Sequence, residues 1–140
     1  MSRPLYENNS DLVKEGDIVS TVCAKLNVNA FKLPIKYRAD YAMERNDSIV
    51  ALAEIKDRNC ASTIKRIIMS LDKWTLGCQF AKSMQVPFCL FVRFSDGVTK
   101  WIRLDDRVFE ISINGRNDRG DKDDHEPVIW IPTADMKDFS

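Results

Sequence analysis

The chain has 140 residues, 44% of them hydrophobic and 30% charged, a balance that argues against a disordered, collagenous or coiled-coil protein and fits a single domain over residues 1–140. No apolar run nears the roughly 18 residues that span a bilayer, and Met1 to Asp11 are polar, so a cytoplasmic protein without membrane contact is expected. Basic and acidic residues balance at 21 each, but unevenly: residues 1–100 carry 15 basic against 11 acidic side chains, and residues 101–140 carry 6 against 10. Local positive charge, not the sum, governs phosphate contact, so nucleic acid stays among the candidate partners.

Four cysteines without a CxxC pair indicate neither a zinc ribbon nor a redox couple. His125 is the only histidine, which excludes an HExxH zinc site and makes a histidine triad improbable. Catalysis by this chain has to run on carboxylates, lysine or metal.

In chain order, Leu12, Val19, Val22, Cys23 and Leu26 recur at helical spacing and predict a helix over Ser10 to Leu26, with Glu15 on or beside its inner face. An irregular stretch to Pro34 follows. Lys36 to Met43 and Ser48 to Lys56 have strand length and flank a polar turn, the pattern of an antiparallel hairpin. From Ser62, the positions Ile64, Ile67, Ile68, Leu71, Trp74, Cys78 and Ala81 predict a second, long helix that Gly77 bends or divides. Val86 to Phe94 and Val98 to Leu104 read as a second hairpin around Ser95-Asp96-Gly97. Val108 to Ile113 and Val128 to Ile131 add two strands, separated by the polar loop Asn114 to Glu126. That loop lacks the ligand order of an EF-hand and reads as solvated. The expected class is mixed α/β, helices covering a central sheet.

The most informative residues are Asp40 on the first strand and Glu54-Ile55-Lys56 on the second. Side chains two apart in a strand share a face, so Glu54 and Lys56 point the same way. Several registers are open; the one that pairs residues 44 and 50 sets Asp40 opposite Glu54. Like charges facing across a ladder are destabilising unless a cation lies between them or a proton is taken up. A magnesium ion resolves the conflict, since it prefers carboxylate and carbonyl oxygens, and the two carboxylates with the Ile55 backbone carbonyl are suitable ligands. The bland alternative is that Glu54 and Lys56 form the solvated face of an ordinary strand.

This constellation resembles the PD-(D/E)XK nuclease superfamily, whose core runs helix, hairpin, helix, strand and whose site combines an acid on the first strand with an acid-x-lysine on the second. The likeness covers about residues 10–95. It implies an αββαβ restriction-endonuclease-like core with additional C-terminal strands, in a small endonuclease or junction-resolvase-like member. Asp40 is then the first acid, Glu54 and Lys56 the acid-x-lysine pair, and Glu15 the helix glutamate, a role that Glu7 or Asp11 could also fill. Asp40, Glu54, Ile55 and Glu15 would hold Mg²⁺, with Mn²⁺ as substitute. Ala39 stands where the family has proline, and Gln79 is followed by Ser83 in place of the tyrosine of the exonuclease-type subgroup.

The resemblance implies metal-dependent hydrolysis of DNA to 3′-hydroxyl and 5′-phosphate ends, by a protein that acts as a dimer where two strands are cut together. Lys36, Arg38, Arg58, Lys65 and Arg66 are the expected DNA contacts, and Lys73 belongs with a phosphate-binding edge around the second helix. The alternative from a different class is an inactive nuclease-fold module that binds nucleic acid or a protein. No P-loop, GxGxxG or nucleophile elbow supports a third.

Overall fold

The computed structural model describes residues 9–34, 39–114 and 126–139. Helix α1 spans Asn9–Leu26; among its described side chains Ile18 and Val22, four residues apart, are buried, and Val19, Cys23 and Leu26 pack beside them. The chain reverses at Asn27, whose φ of 55° is the left-handed conformation that asparagine tolerates. It then enters β1 (Asn29–Lys32), a short edge strand in a stretch read from sequence as irregular.

Strands β2 (Tyr41–Arg45) and β3 (Ser48–Asp57) form the expected hairpin. The first expected strand began at Lys36, whereas the observed one begins at Tyr41, and residues 35–38 lie outside the described part. Their register pairs Tyr41 with Ala53, Ala42 with Leu52 and Met43 with Ala51, then slips at Met43/Glu44 so that Glu44 faces Ile49. The expected pairing of 44 with 50 therefore fails near the turn. The slip is a bulge, and the half of the ladder approaching Asp40 keeps the expected alignment.

The second helix does not begin at Ser62. Arg66–Ser70 is instead a strand, β4, and α2 runs from Leu71–Met84 with Ser70 as its cap. The run Ile67-Ile68 is β-branched, and its ladder with a late strand outweighs the helical spacing that Ile64, Ile67 and Ile68 also satisfy. Helix α2 ends at Gln85, in the left-handed conformation.

Strand β5 (Phe88–Arg93) lies parallel to β3, and β6 (Thr99–Arg103) runs antiparallel to β5. Strands β7 (Glu110–Asn114) and β8 (Glu126–Pro132) pair with each other, and β8 also pairs with β4, forming a separate three-stranded sheet in the order β4-β8-β7. The main sheet has the order β1-β2-β3-β5-β6-β9, closed at one edge by β9 (Lys137–Asp138). Most of the loop Asn114 to Glu126 lies outside the described residues. Among the described residues no helix is long and apolar enough to cross a membrane.

Strand β3 therefore lies between β2 and β5, and its alternation sends two sets of side chains to two cores. Ala53 and Ile55 join Ile18, Val22 and Phe91 under α1. Leu52 lies on the opposite face with Phe88, Leu90 and Ala81 of α2, in a core that continues through Ile67, Met69, Ile129 and Ile131 of the second sheet. Glu54 shares the Leu52 face by the two-residue period and is fully buried.

Helix α2 approaches this sheet closely at Gly77. A Cβ built there would stand 2.3 Å from the ring of buried Phe88. Gly77→Ala therefore overpacks the interface despite the better helix propensity of alanine, and a loss of roughly 1–3 kcal/mol is expected. Urea unfolding of the two proteins measures it; an unchanged or higher midpoint would show that α2 is not held against Phe88.

Candidate active site

The carboxylate of Glu54 has no solvent exposure. Its Oε1 meets two ammonium groups, Lys73 Nζ at 3.1 Å and Lys56 Nζ at 3.2 Å, while its Oε2 is buried with no hydrogen-bond partner among the described residues. Lys56 comes from the same face of β3, and Lys73 from the first turn of α2. Each lysine keeps a quarter to a third of its side chain exposed.

Asp40 stands at the entrance to β2. Its N–H donates to the Ala53 carbonyl at 3.1 Å, and its Oδ2 accepts from the Ile55 N–H at 3.0 Å. One further step along the register from Tyr41–Ala53 brings it beside Glu54. Burial, and next the charge of Glu54, push the Asp40 carboxyl up to about 6, against the Ile55 hydrogen bond and the attraction of Lys56 and Lys73. The lysines diverge. Burial lowers Lys56 despite Glu54, and the neighbouring Lys73 charge adds to that; in Lys73 burial is outweighed by Glu54, Asp40 and its hydrogen bonds, which raise it.

Asp40, Lys56 and Lys73 line a cavity of about 820 Å³ together with Lys14, Glu15, Ile55, Asp57, Arg58, Asn59 and Ser95, while Glu54 is fully buried and not part of that lining. Glu15 enters from α1, on the other face of the sheet, where its Oε2 accepts from Lys32 Nζ at 2.6 Å and Tyr41 Oη at 2.7 Å. It lines the same cavity as Asp40, yet among the described residues no three His, Cys, Asp or Glu side chains gather as a metal-holding cluster. Glu7 lies outside the described residues.

Arg58, two residues beyond Lys56 in β3's direction, donates from Nη2 to the Ile68 carbonyl at 2.7 Å, and its Nε is buried without a partner among the described residues. Lys65 and Arg66 are absent from the cavity lining. Arg66 lies over the Trp130 ring at 3.9 Å and pairs with Glu110 at 2.9 Å on the second sheet. Lys36 and Arg38 lie outside the described residues. Sequence reasoning grouped Lys73 with surface phosphate contacts and missed its bond to Glu54. With the helix expected from Ser62, Lys73 falls in its interior, so no local feature of the sequence pointed to that bond.

A donor set of two neighbouring carboxylates, one with a bare buried oxygen, fits a hard divalent cation. An uncompensated carboxylate oxygen is expensive to bury, and Mg²⁺ takes one or two carboxylates and keeps several waters. An acid at the end of one strand beside an acid-x-lysine on the next, with helices on both faces of the sheet, is the arrangement of PD-(D/E)XK nucleases. Residues 1–139 match the family described as "Phage putative PDDEXK endonuclease", and the chain belongs to that family. Among solved structures it is similar to Archaeoglobus fulgidus Hjc, a Holliday junction resolvase from an archaeal hyperthermophile. That match has a TM-score of 0.56 over 86% of this chain and 85% of that one, at 10% sequence identity, a likeness of fold. No curated protein matches the chain.

The raised Asp40 carboxyl fixes a pH dependence. Between about pH 4 and 6 the folded protein holds a proton that the unfolded chain has lost, so metal-free stability falls as pH rises through that window and stays lower above it. Asp40→Asn, without metal, is expected to be more stable than the parent at neutral pH by on the order of 2 kcal/mol, the difference closing towards about pH 4. Urea titrations across that range test it; a variant less stable at neutral pH would contradict the crowding of Asp40 by Glu54.

Proposed function

We propose that this protein is a metal-dependent endodeoxyribonuclease, and the observation that carries the reading is the bare buried Oε2 of Glu54 beside Asp40. Asp40 and Glu54 would hold Mg²⁺, or Mn²⁺ in its place, with the Ile55 carbonyl as a third oxygen and Glu15 in support from α1. The ion supplies charge stabilisation at the phosphate and a more acidic water. Lys56 orients the attacking water in line with the scissile bond, its amine kept close to the site by Glu54. Asp40 is held in place by the Ile55 N–H, so neither acid has to reorganise as charge develops.

DNA is the proposed substrate because Lys14, Lys56, Arg58 and Lys73 bring four cations to one cavity of a protein with no net charge. Duplex backbone contacts by such groups release counterions and make binding salt-dependent. Attack on phosphorus with departure of the 3′ oxygen leaves 3′-hydroxyl and 5′-phosphate ends, which a DNA ligase can reseal.

Plasmid nicking with Mg²⁺, and with EDTA as control, tests the reading. Asp40→Asn, Glu54→Gln and Lys56→Ala are each expected to lower the rate by about 100-fold or more while circular dichroism stays that of the parent. Glu15→Gln is expected to cost about 10- to 100-fold, the scale of a supporting metal contact. Nicking that persists in EDTA, or all three main variants cutting at the parent rate, would remove the assignment; an inert parent protein that still binds DNA would favour the non-cleaving module.

A further inference from the structure

Two ammonium groups meet the same oxygen of Glu54, at 3.1 Å and 3.2 Å, and neither reaches its other oxygen. Were both lysines there to neutralise Glu54, the bare Oε2 would be the better place for the second. Lys73 is also costly where it stands. It occupies the first turn of α2, where a cation opposes the helix dipole, and it is partly buried. It lines the cavity with Asp40, Lys56 and Arg58. An ammonium carries three N–H donors, so the bond to Glu54 does not exhaust it.

We propose that Lys73 is a second catalytic lysine, which grips a non-bridging oxygen of the scissile phosphate beside Lys56; this rests on the nuclease reading above. In the step it serves, the bond from water oxygen to phosphorus forms as the bond from phosphorus to O3′ breaks. The electron pair leaves with O3′, which takes a proton from solvent, and the attacking water gives its proton to solvent. Lys73 stays protonated throughout. The phosphodiester carries one negative charge and the five-coordinate transition state carries two, so a cation fixed at that oxygen binds the transition state more strongly than the substrate. Glu54 fixes it: the carboxylate oxygen that holds Lys56 also holds Lys73.

Lys73→Met and Lys73→Arg, compared with the parent protein, separate this role from simple neutralisation of Glu54. Plasmid cleavage with Mg²⁺ gives the rate at saturating DNA, and binding to a short duplex in Ca²⁺ over a range of salt gives the log–log slope. Lys73→Met is expected to lower the saturated rate by about 100- to 1,000-fold and to make the salt slope shallower by about 0.9, one lost phosphate contact. Lys73→Arg should recover the slope and much of the rate. Should Lys73→Met fail to fold, Lys73→Gln, which keeps a donor for Glu54 without the charge, is read in its place with the same expectation. A parent that cuts while the uncharged variant keeps its rate and slope would overturn the role of Lys73 and leave the nuclease reading standing. A lower melting temperature with an unchanged slope would likewise assign Lys73 to Glu54 alone. A parent that does not cut would remove both.

Discussion

A carboxylate with no access to water, carrying two lysines on one oxygen and none on the other, is the constraint around which this structure is arranged. Taking such a group out of water costs several kcal/mol, and a buried ion pair rarely repays it in stability. A leucine at position 54 would extend the apolar face of Leu52 and Leu90 at no such cost. Glu54 thus violates the pattern of its own strand, and violations of this kind concentrate where chemistry is done.

The fold supplies what the carboxylate requires. Burial comes from the position of β3 between β2 and β5. The hairpin brings Asp40 to its side, and the close contact of Gly77 with Phe88 sets α2 near enough for Lys73 to reach across. Helix α2 packs against strands of both sheets in one apolar core, and Lys73 of its first turn lines the cavity. Glu15, on the other face, is drawn towards Lys32 and Tyr41. The cavity is lined by Glu15 of α1 as well as by Asp40, at the entrance to β2, and Lys56 of β3.

The alternation in Glu54-Ile55-Lys56 and the length of the hairpin left several registers open, one of which set Asp40 beside Glu54; a strand's two-residue period keeps such choices few once a turn is located. The bulge at Met43/Glu44 was not legible, since it arises from how the turn closes. Ile64, Ile67 and Ile68 satisfy a helical spacing and a β-branched strand equally well, and the partner that decides between them, Ile131 to Trp130, lies more than sixty residues away. Ser62 and Ser70 both suit a helix start; only the ladder selects the second. The partnership of Lys73 with Glu54 was hidden for the same reason, as it depends on where α2 begins and on which face of β3 it covers.

The metal site is the central claim, and the most direct measurement is the anomalous difference map of a crystal of this protein soaked in manganese chloride. A peak within coordination distance of Glu54 Oε2 and the Asp40 carboxylate, about 2.0–2.3 Å, is the result expected. A map empty at that position, with Lys73 and Lys56 still closed on Glu54, would contradict it.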